Sequence, residues 1–437
     1  MKPNVIVVLS DQLRAFELGC YGDAGAPPGK PISPNIDKLA RGGVRFDKAF
    51  TPNPVCTPAK SSLLSGQYGR SCIGTVYNAP GIPDNKRVVF PNKTFPEILR
   101  DAGYDTAYTN QLHIHTDPLL VGFGERLDKH NWSGLSSYEY TQNLKYTREY
   151  IQKKRDKPFL LYHTILQPHM PYIGVEEKFI YKYAPGGTPL RPNVEKGIAP
   201  HYDDQKWFAM YLYQKFELSG DEKIPGGFDI NALYAMYRGM VSAADWQLGE
   251  IAGYVEEAGM TNDTIIIFLA DHGDNMGSHG LYNKDCAYEE SIRIPLIVSC
   301  PGHITPSESV NDVVSLIDVA PTVLDMCGLP VPEYMHGISL CPLFNRGGGI
   351  GRDRVFIECP NNEIACRTNK YMYAVLTEFY TNRPGQGGIK QNPHRFFDME
   401  ADLYQLRNND SSLPDSVKQD MSGSIMRWIE QTPWYHG

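Results

Sequence analysis

The chain has 437 residues, 41% of them hydrophobic and 21% charged, with a formal net charge of −8 and nine cysteines. This is the composition of a large globular protein with room for a catalytic core and a smaller second unit. The acidic balance speaks against nucleic acid or an anionic membrane as partner. No apolar run approaches the roughly eighteen residues of a membrane helix. An odd number of cysteines without framework spacing reads as mostly reduced thiols. The chain passes from Met1-Lys2-Pro3 straight into a strand, so a cytoplasmic location is expected, or a periplasmic one if a leader was trimmed.

In chain order the pattern alternates strand and helix. Asn4 to Ser10 is a continuous apolar, β-branched run, as in a strand buried on both faces. Helices are expected over Asn35–Gly42 and Thr94–Ala102, the latter closed by Gly103. Strands follow at Tyr104–Thr109 and Pro158–Leu166, then a long amphipathic helix over Ala232–Gly259. Thr264–Ala270 and Ile294–Ser299 read as strands and Asp318–Cys327 as a helix. This order predicts an α/β fold with a doubly wound, mainly parallel sheet and active-site loops at the carboxyl ends of its strands.

The texture changes after Leu343, where Asn345–Arg352 reads as a connection. Short strands are expected at Val355–Glu358, Ile364–Arg367, Tyr371–Leu376 and Asp402–Leu406, then a helix from Pro414 to Glu430. Residues 1–345 are thus expected to form the catalytic domain and 346–437 a small antiparallel α+β subdomain.

Cys56-Thr57-Pro58-Ala59-Lys60-Ser61-Ser62-Leu63-Leu64-Ser65-Gly66 stands out. It reads as a nucleophile at a helix start: Pro58 suits a first turn that has no N–H partners, and that end favours an anion. Lys60 falls one turn after Cys56, on the same face. Two acidic pairs lie at strand ends, Asp11-Gln12 after the first strand and Asp271-His272, followed by Asp274, after Thr264–Ala270. Each Asp alone would serve equally as a cap; together they suggest a metal, because a parallel sheet brings such ends side by side.

These strings resemble the type I sulfatases of the alkaline-phosphatase superfamily. In that family the cysteine of C-x-P-S-R is oxidised to formylglycine by a maturation enzyme; here Ala59 and Lys60 replace the serine and arginine. Further likenesses are Asn110-Gln111-Leu112-His113, where the family usually has Gly-Lys-x-His, and Pro168-His169-Met170-Pro171-Tyr172. A third is Gly280-Leu281-Tyr282-Asn283-Lys284 with the stretch running to Pro295. The resemblance implies metal ligands Asp11, Gln12, Asp271, His272 and matured Cys56. The divalent cation is expected to be calcium, with manganese or zinc competing because His272 offers nitrogen.

The resemblance also implies roles. Cys56 supplies the nucleophile, Lys60 supports it, and Lys284 holds substrate oxygens. His169 or Lys284 protonates the leaving alcohol, and His113 takes the proton that releases sulfate. Gln111, His169 and Lys284 form the substrate-binding set. With Gln111 in place of lysine, the pocket has one cation fewer and favours a monoanionic centre. Three readings follow. The first is a sulfatase acting on a small-molecule or carbohydrate sulfate ester. The second is a phosphonate monoester or phosphodiester hydrolase, suggested by the Asp-Gln and Asp-His pairs. The third is a non-catalytic binder of sulfated ligands. Substrate recognition is expected in the loops around Tyr77–Pro83 and Gly174–Ile230.

Overall fold

The computed structural model of the chain describes residues 2–22, 32–78, 89–110, 112–114, 116–128, 137–170, 172, 175–180, 182–183, 189–195, 230–344, 348–377, 392–408 and 414–435. Gln111 and most of the two expected recognition loops lie outside the described residues.

The large sheet has nine strands: β1 (Asn4–Ser10), β2 (Val44–Phe50), β3 (Asp105–Thr109), β4 (Glu125–Arg126), β5 (Phe159–Ile165), β6 (Thr264–Ala270), β7 (Arg293–Ile294), β8 (Leu296–Ser299) and β9 (Ser307–Ser315). Their order is β4-β3-β5-β1-β6-β8-β2-β7, with β9 also paired to β2. The block β4-β3-β5-β1-β6 is parallel throughout, whereas β8 runs antiparallel to both β6 and β2. β1 lies at the centre, and its apolar residues Val5 to Leu9 are wholly excluded from solvent. This is what a strand with sheet neighbours on both sides and helices on both faces requires.

Helices flank the sheet in two packed groups. Pro34–Arg41 (α1) and Ser137–Gln152 (α3) pack on the long helix Ile230–Glu257 (α4), while Cys56–Ser65 (α2) packs with Phe95–Asp101 and Val319–Met326. The Phe95–Asp101 helix opens with a full capping box from Thr94 and Glu97. Among the described residues no helix is long and apolar enough to cross a membrane.

A second sheet of four antiparallel strands follows: β10 (Arg354–Glu358), β11 (Glu363–Thr368), β12 (Tyr371–Leu376) and β13 (Asn392–Asp398). The closing helix Asp415–Gln431 lays Met421, Ile425 and Trp428 on this sheet, against Ile364, Tyr373 and Phe396. Two expectations need correction. The fourth strand is Asn392–Asp398, not Asp402–Leu406, which is a turn organised by Asp402: its carboxylate accepts from Leu406 N and Arg407 N at 2.9 and 2.8 Å. The run Ile294–Ser299 is two pieces, β7 and β8, interrupted at Pro295, which has no N–H for a ladder. The strands β2 and β9 and the helix α3 are additions to the expected elements.

Candidate active site

Register explains why distant residues meet. Ser10 of β1 pairs with Ala270 of β6, so Asp11 and Asp271 leave the sheet side by side at its carboxyl edge. Ser10 also pairs with Ile165 of β5, and Thr109 of β3 with His163 of β5. The loops carrying His113 and His169 therefore open at the same edge. Four adjacent parallel strands each deliver functional candidates to one place, the location that parallel sheets favour for ligands.

Cys56 enters on α2, which begins at Cys56 itself and is buried along its whole length. Asn78 Oδ1 accepts from Thr57 N at 3.0 Å, satisfying one of the free donors of the first turn. Thr57 Oγ1 donates to His113 O at 2.9 Å, tying the helix start to the His113 segment. Gly66 ends the helix in the left-handed conformation at φ 67°, where glycine carries no Cβ penalty.

The polar atoms around the Cys56 sulfur include Lys284 Nζ at 3.0 Å, His272 Nε2 at 3.2 Å and Asp11 Oδ1 at 3.8 Å. Ligand atoms of Asp11, Cys56, Asp271 and His272 all lie within 4.8 Å of one another, and all four residues are buried. Lys60 makes a short ion pair with Asp11, and its Nζ is 3.2 Å from Asp271 Oδ2. One ammonium thus reaches both carboxylates, although it lacks the planar fork of a guanidinium. Lys284 bridges the other side, donating to Gln12 Oε1 at 3.2 Å and lying 3.1 Å from His272 Nε2. Lys284, His113 and His169 are half-buried, whereas Asp11, Gln12, Lys60, Asp271 and His272 are fully enclosed. The site has a dry floor of charge and a rim of exchangeable protons.

Charge and burial compete here. Burial alone would raise the Cys56 thiol. The cations of Lys284 and His272, with hydrogen bonds from His113 and His169, outweigh it and push the thiol well below its ordinary value. Burial and the Cys56 thiolate would raise Asp11, yet Lys60, His169 and Lys284 bring its carboxyl down to about 2. Lys60 is held well above the usual lysine range, because Asp11 and Asp271 overcome the desolvation penalty.

The donor set fits a divalent cation. Asp271 Oδ1 accepts from the backbone N–H groups of Gln12 and His272, at 3.1 and 2.9 Å. Asp271 Oδ2 is buried and accepts no hydrogen bond among the described residues. His272 Nδ1 lies 3.0 Å from Gly273 O, so once the imidazole gives up its second proton, donation there would leave the Nε2 lone pair free for a cation in the cluster. Gly273 is required at this turn: a Cβ would stand 2.0 Å from Glu290 O.

The structure therefore brings together Asp11, Gln12, Cys56, Lys60, Asp271, His272 and Lys284, with His113 and His169 beside the sulfur. Sequence reasoning gives no role to Asn78, Asp274, Tyr172 or Tyr237. Asp274 is visible two residues beyond His272, Tyr172 closes the Pro168–Tyr172 string and Asn78 lies in the Tyr77–Pro83 loop; Tyr237 contacts the site only through tertiary packing and leaves no local pattern.

Comparison with known proteins agrees with this geometry. Residues 3–329 match the Sulfatase family profile, and residues 277–425 match that of the N-sulphoglucosamine sulphohydrolase C-terminal region. An ulvan-active sulfatase of Formosa agariphila is 27% identical, over 93% of this chain and 77% of that protein. The fold matches a Bacteroides thetaiotaomicron protein solved in a study of glycosaminoglycan metabolism, with a TM-score of 0.77, 22% identity and coverage of 98% of this chain and 97% of that one. A phosphonate monoester hydrolase of Agrobacterium radiobacter has the same fold, with a TM-score of 0.73, 22% identity and coverage of 99% and 96%. With residues 3–329 of its 437 matched, the chain belongs to the sulfatase family of the alkaline phosphatase superfamily.

Proposed function

We propose that the chain hydrolyses a sulfate monoester of a saccharide or another small alcohol, with Cys56 as the precursor of a formylglycine nucleophile. One observation carries this reading: Cys56 Sγ, two carboxylates and an imidazole nitrogen converge in a buried cluster with Lys60 and Lys284 packed against it. The ulvan-active relative and the N-sulphoglucosamine sulphohydrolase match over residues 277–425 support a saccharide substrate.

Asp11, Gln12, Asp271 and His272 would hold the metal, together with the oxygen that replaces the Cys56 sulfur. Calcium suits the oxygens, and manganese or zinc suits the imidazole. A bound cation would add positive charge next to the nucleophile and the sulfate oxygens, making the nucleophile more acidic. Hydrated formylglycine at position 56 would supply two hydroxyls on one carbon, one as the nucleophile toward sulfur and one whose deprotonation restores the aldehyde.

The chain's own residues do the rest. Lys60 fixes both carboxylates so that neither swings toward solvent. Lys284, half-buried and 3.0 Å from Cys56 Sγ, is placed to hold a sulfate oxygen. The S–O bond to the alcohol breaks, and the departing oxygen needs a proton, which His169 or Lys284 supplies from the rim. His113, on the other rim loop, accepts the proton that accompanies sulfate release. Overall, water is consumed and the ester becomes alcohol and sulfate. The fixed cations act where negative charge grows, so they stabilise the transition state more than the ground state.

A second reading, hydrolysis of a phosphonate monoester or phosphodiester, is carried by the neutral Gln12 amide at a ligand position beside His272. Rates on 4-nitrophenyl sulfate, an alkyl sulfate and a phenyl phosphonate monoester separate the two. Faster turnover of the sulfates is expected. A preference for the phosphonate would overturn the leading reading, and no turnover of any of them would favour a binding protein. His169→Ala should slow the alkyl sulfate far more than the aryl one, because only the poor leaving group needs the proton.

A further inference from the structure

We propose that Asp274 is a positioning residue that fixes which end of the Gln12 amide faces the metal, an inference that rests on the metal reading above. Gln12 is held at every polar atom. Its backbone is left-handed, at φ 63°, a conformation that costs a non-glycine residue energy unless its surroundings enforce it. Its N–H donates to Asp271 Oδ1 at 3.1 Å, and its carbonyl accepts from Tyr237 Oη at 2.8 Å. The side chain is pinned from both sides: Nε2 is 2.5 Å from Asp274 Oδ2, and Oε1 is 3.2 Å from Lys284 Nζ.

An ionised carboxylate only accepts and an ammonium only donates. Both ends of the amide are therefore dictated, and its oxygen is turned to Lys284, whose Nζ also lies 3.0 Å from Cys56 Sγ and 3.1 Å from His272 Nε2. Asp274 is fully buried, and among the described residues it also accepts from Tyr172 Oη at 2.8 Å and Met276 N at 2.9 Å. No cation is among these donors. An asparagine of nearly the same shape could fill this space. What such an amide could not do is demand an N–H from Gln12. With Asp274→Asn, the new amide can offer its own NH₂, Gln12 can turn over, and nitrogen replaces oxygen at the metal.

The test is calcium and manganese affinity of the metal-stripped protein by isothermal titration calorimetry, with thermal unfolding of the same metal-free samples. Asp274→Asn should weaken metal binding by about 10–100-fold, the scale of a lost outer-shell partner. Tyr172→Phe, which removes a donor but keeps the carboxylate, should bind within about 3-fold of wild type. Gln12→Glu combined with Asp274→Asn restores the pattern, an acceptor at the metal and a donor behind it. It should recover affinity lost by Asp274→Asn alone, which a merely structural role of Asp274 would not allow. Wild-type affinity in Asp274→Asn, no recovery in the double variant, or an equal loss in Tyr172→Phe would overturn the proposal. A wild-type protein that binds neither metal would instead overturn the metal reading, and this inference with it.

Discussion

Asp271 and Asp318 are both fully buried aspartates, yet the fold treats them in opposite ways. Asp318 is saturated. Its Oδ1 accepts from Ile338 N at 3.0 Å and Arg352 Nη1 at 2.9 Å, and its Oδ2 from Ser315 N at 2.7 Å with a short second bond from Arg352. Asp271 is saturated on one oxygen and, among the described residues, left without a hydrogen bond on the other, with the Lys60 ammonium nearby. A carboxylate whose lone pairs are all used is holding the structure together. Asp271 Oδ2 instead keeps the Lys60 ammonium at 3.2 Å and lies among the ligand atoms of Asp11, Cys56 and His272, where the proposed cation would use its remaining lone pair.

The largest expected effect is at the nucleophile. Cys56→Ala should lower kcat/KM for a sulfate ester by roughly 10⁴-fold or more, with the unfolding midpoint unchanged within error. Comparable turnover in that variant would remove Cys56 from the mechanism.

The two aspartates come next and should separate cleanly. Asp318→Ala strands the Arg352 guanidinium and the other donors, and should cost about 3 kcal/mol or more in denaturant unfolding while leaving metal affinity alone. Asp271→Ala should abolish metal binding, by roughly 100-fold or more. It should cost the metal-free protein less than Asp318→Ala, because Lys60 keeps Asp11 as its partner. If both variants lost the same stability and neither lost metal, the contrast between them would be false.

Acid sensitivity should come from a buried carboxylate paired with cations outside the cluster. Glu290 is fully buried; burial would raise its carboxyl, but His279 beside it and the charge of Arg191, which donates to its Oε1 at 2.9 Å, bring it down to about 2. Its folded value lies below its unfolded one, so the stability it contributes is present above about pH 4.5 and is lost as pH falls toward 2, roughly 3 kcal/mol in all. Stability measured against pH in Glu290→Gln should be flatter across that window. A wild-type slope would mean that the acid limb arises elsewhere.

The smallest effect is at Lys60. It is fully enclosed, so Lys60→Arg, which restores the commoner family residue, must fit a larger group into a filled space. It should cost about 1–3 kcal/mol by overpacking, read from chemical denaturation, with metal affinity within a few-fold of wild type. No loss of stability would mean that the pocket around Lys60 has room to spare.

Much of this is legible in the chain. The apolar runs of β1 and β6 mark the sheet's centre, because strands covered on both faces need no alternation. The residues just past their ends are Asp11 and Asp271. The Cys56 string marks the buried helix start, and Pro168-His169 with Gly280 to Lys284 mark two of the rim groups. What cannot be read is what depends on tertiary contact. The strand β2 and its neighbour β9 lack a clean pattern because charged residues such as Arg45, Asp47 and Lys48 interrupt the first, and polar Asn311 and Asp312 the second. The Asp402–Leu406 run looks like a strand by composition, but Asp402 accepts two backbone N–H groups and bends the chain instead. Tyr237 serves the site from a helix whose own sequence says nothing of it, and the contacts of Asn78 and Tyr172 depend on tertiary packing that their motifs do not reveal.

Everything proposed for the site depends on conversion of Cys56 to the aldehyde that performs the chemistry. The most direct measurement is the mass of the tryptic peptide carrying Cys56, taken from protein purified with sulfate-ester activity. An aldehyde is expected at Cys56, in a fraction that rises in proportion to specific activity between preparations. Full activity in protein whose Cys56 is entirely an unmodified thiol would contradict it.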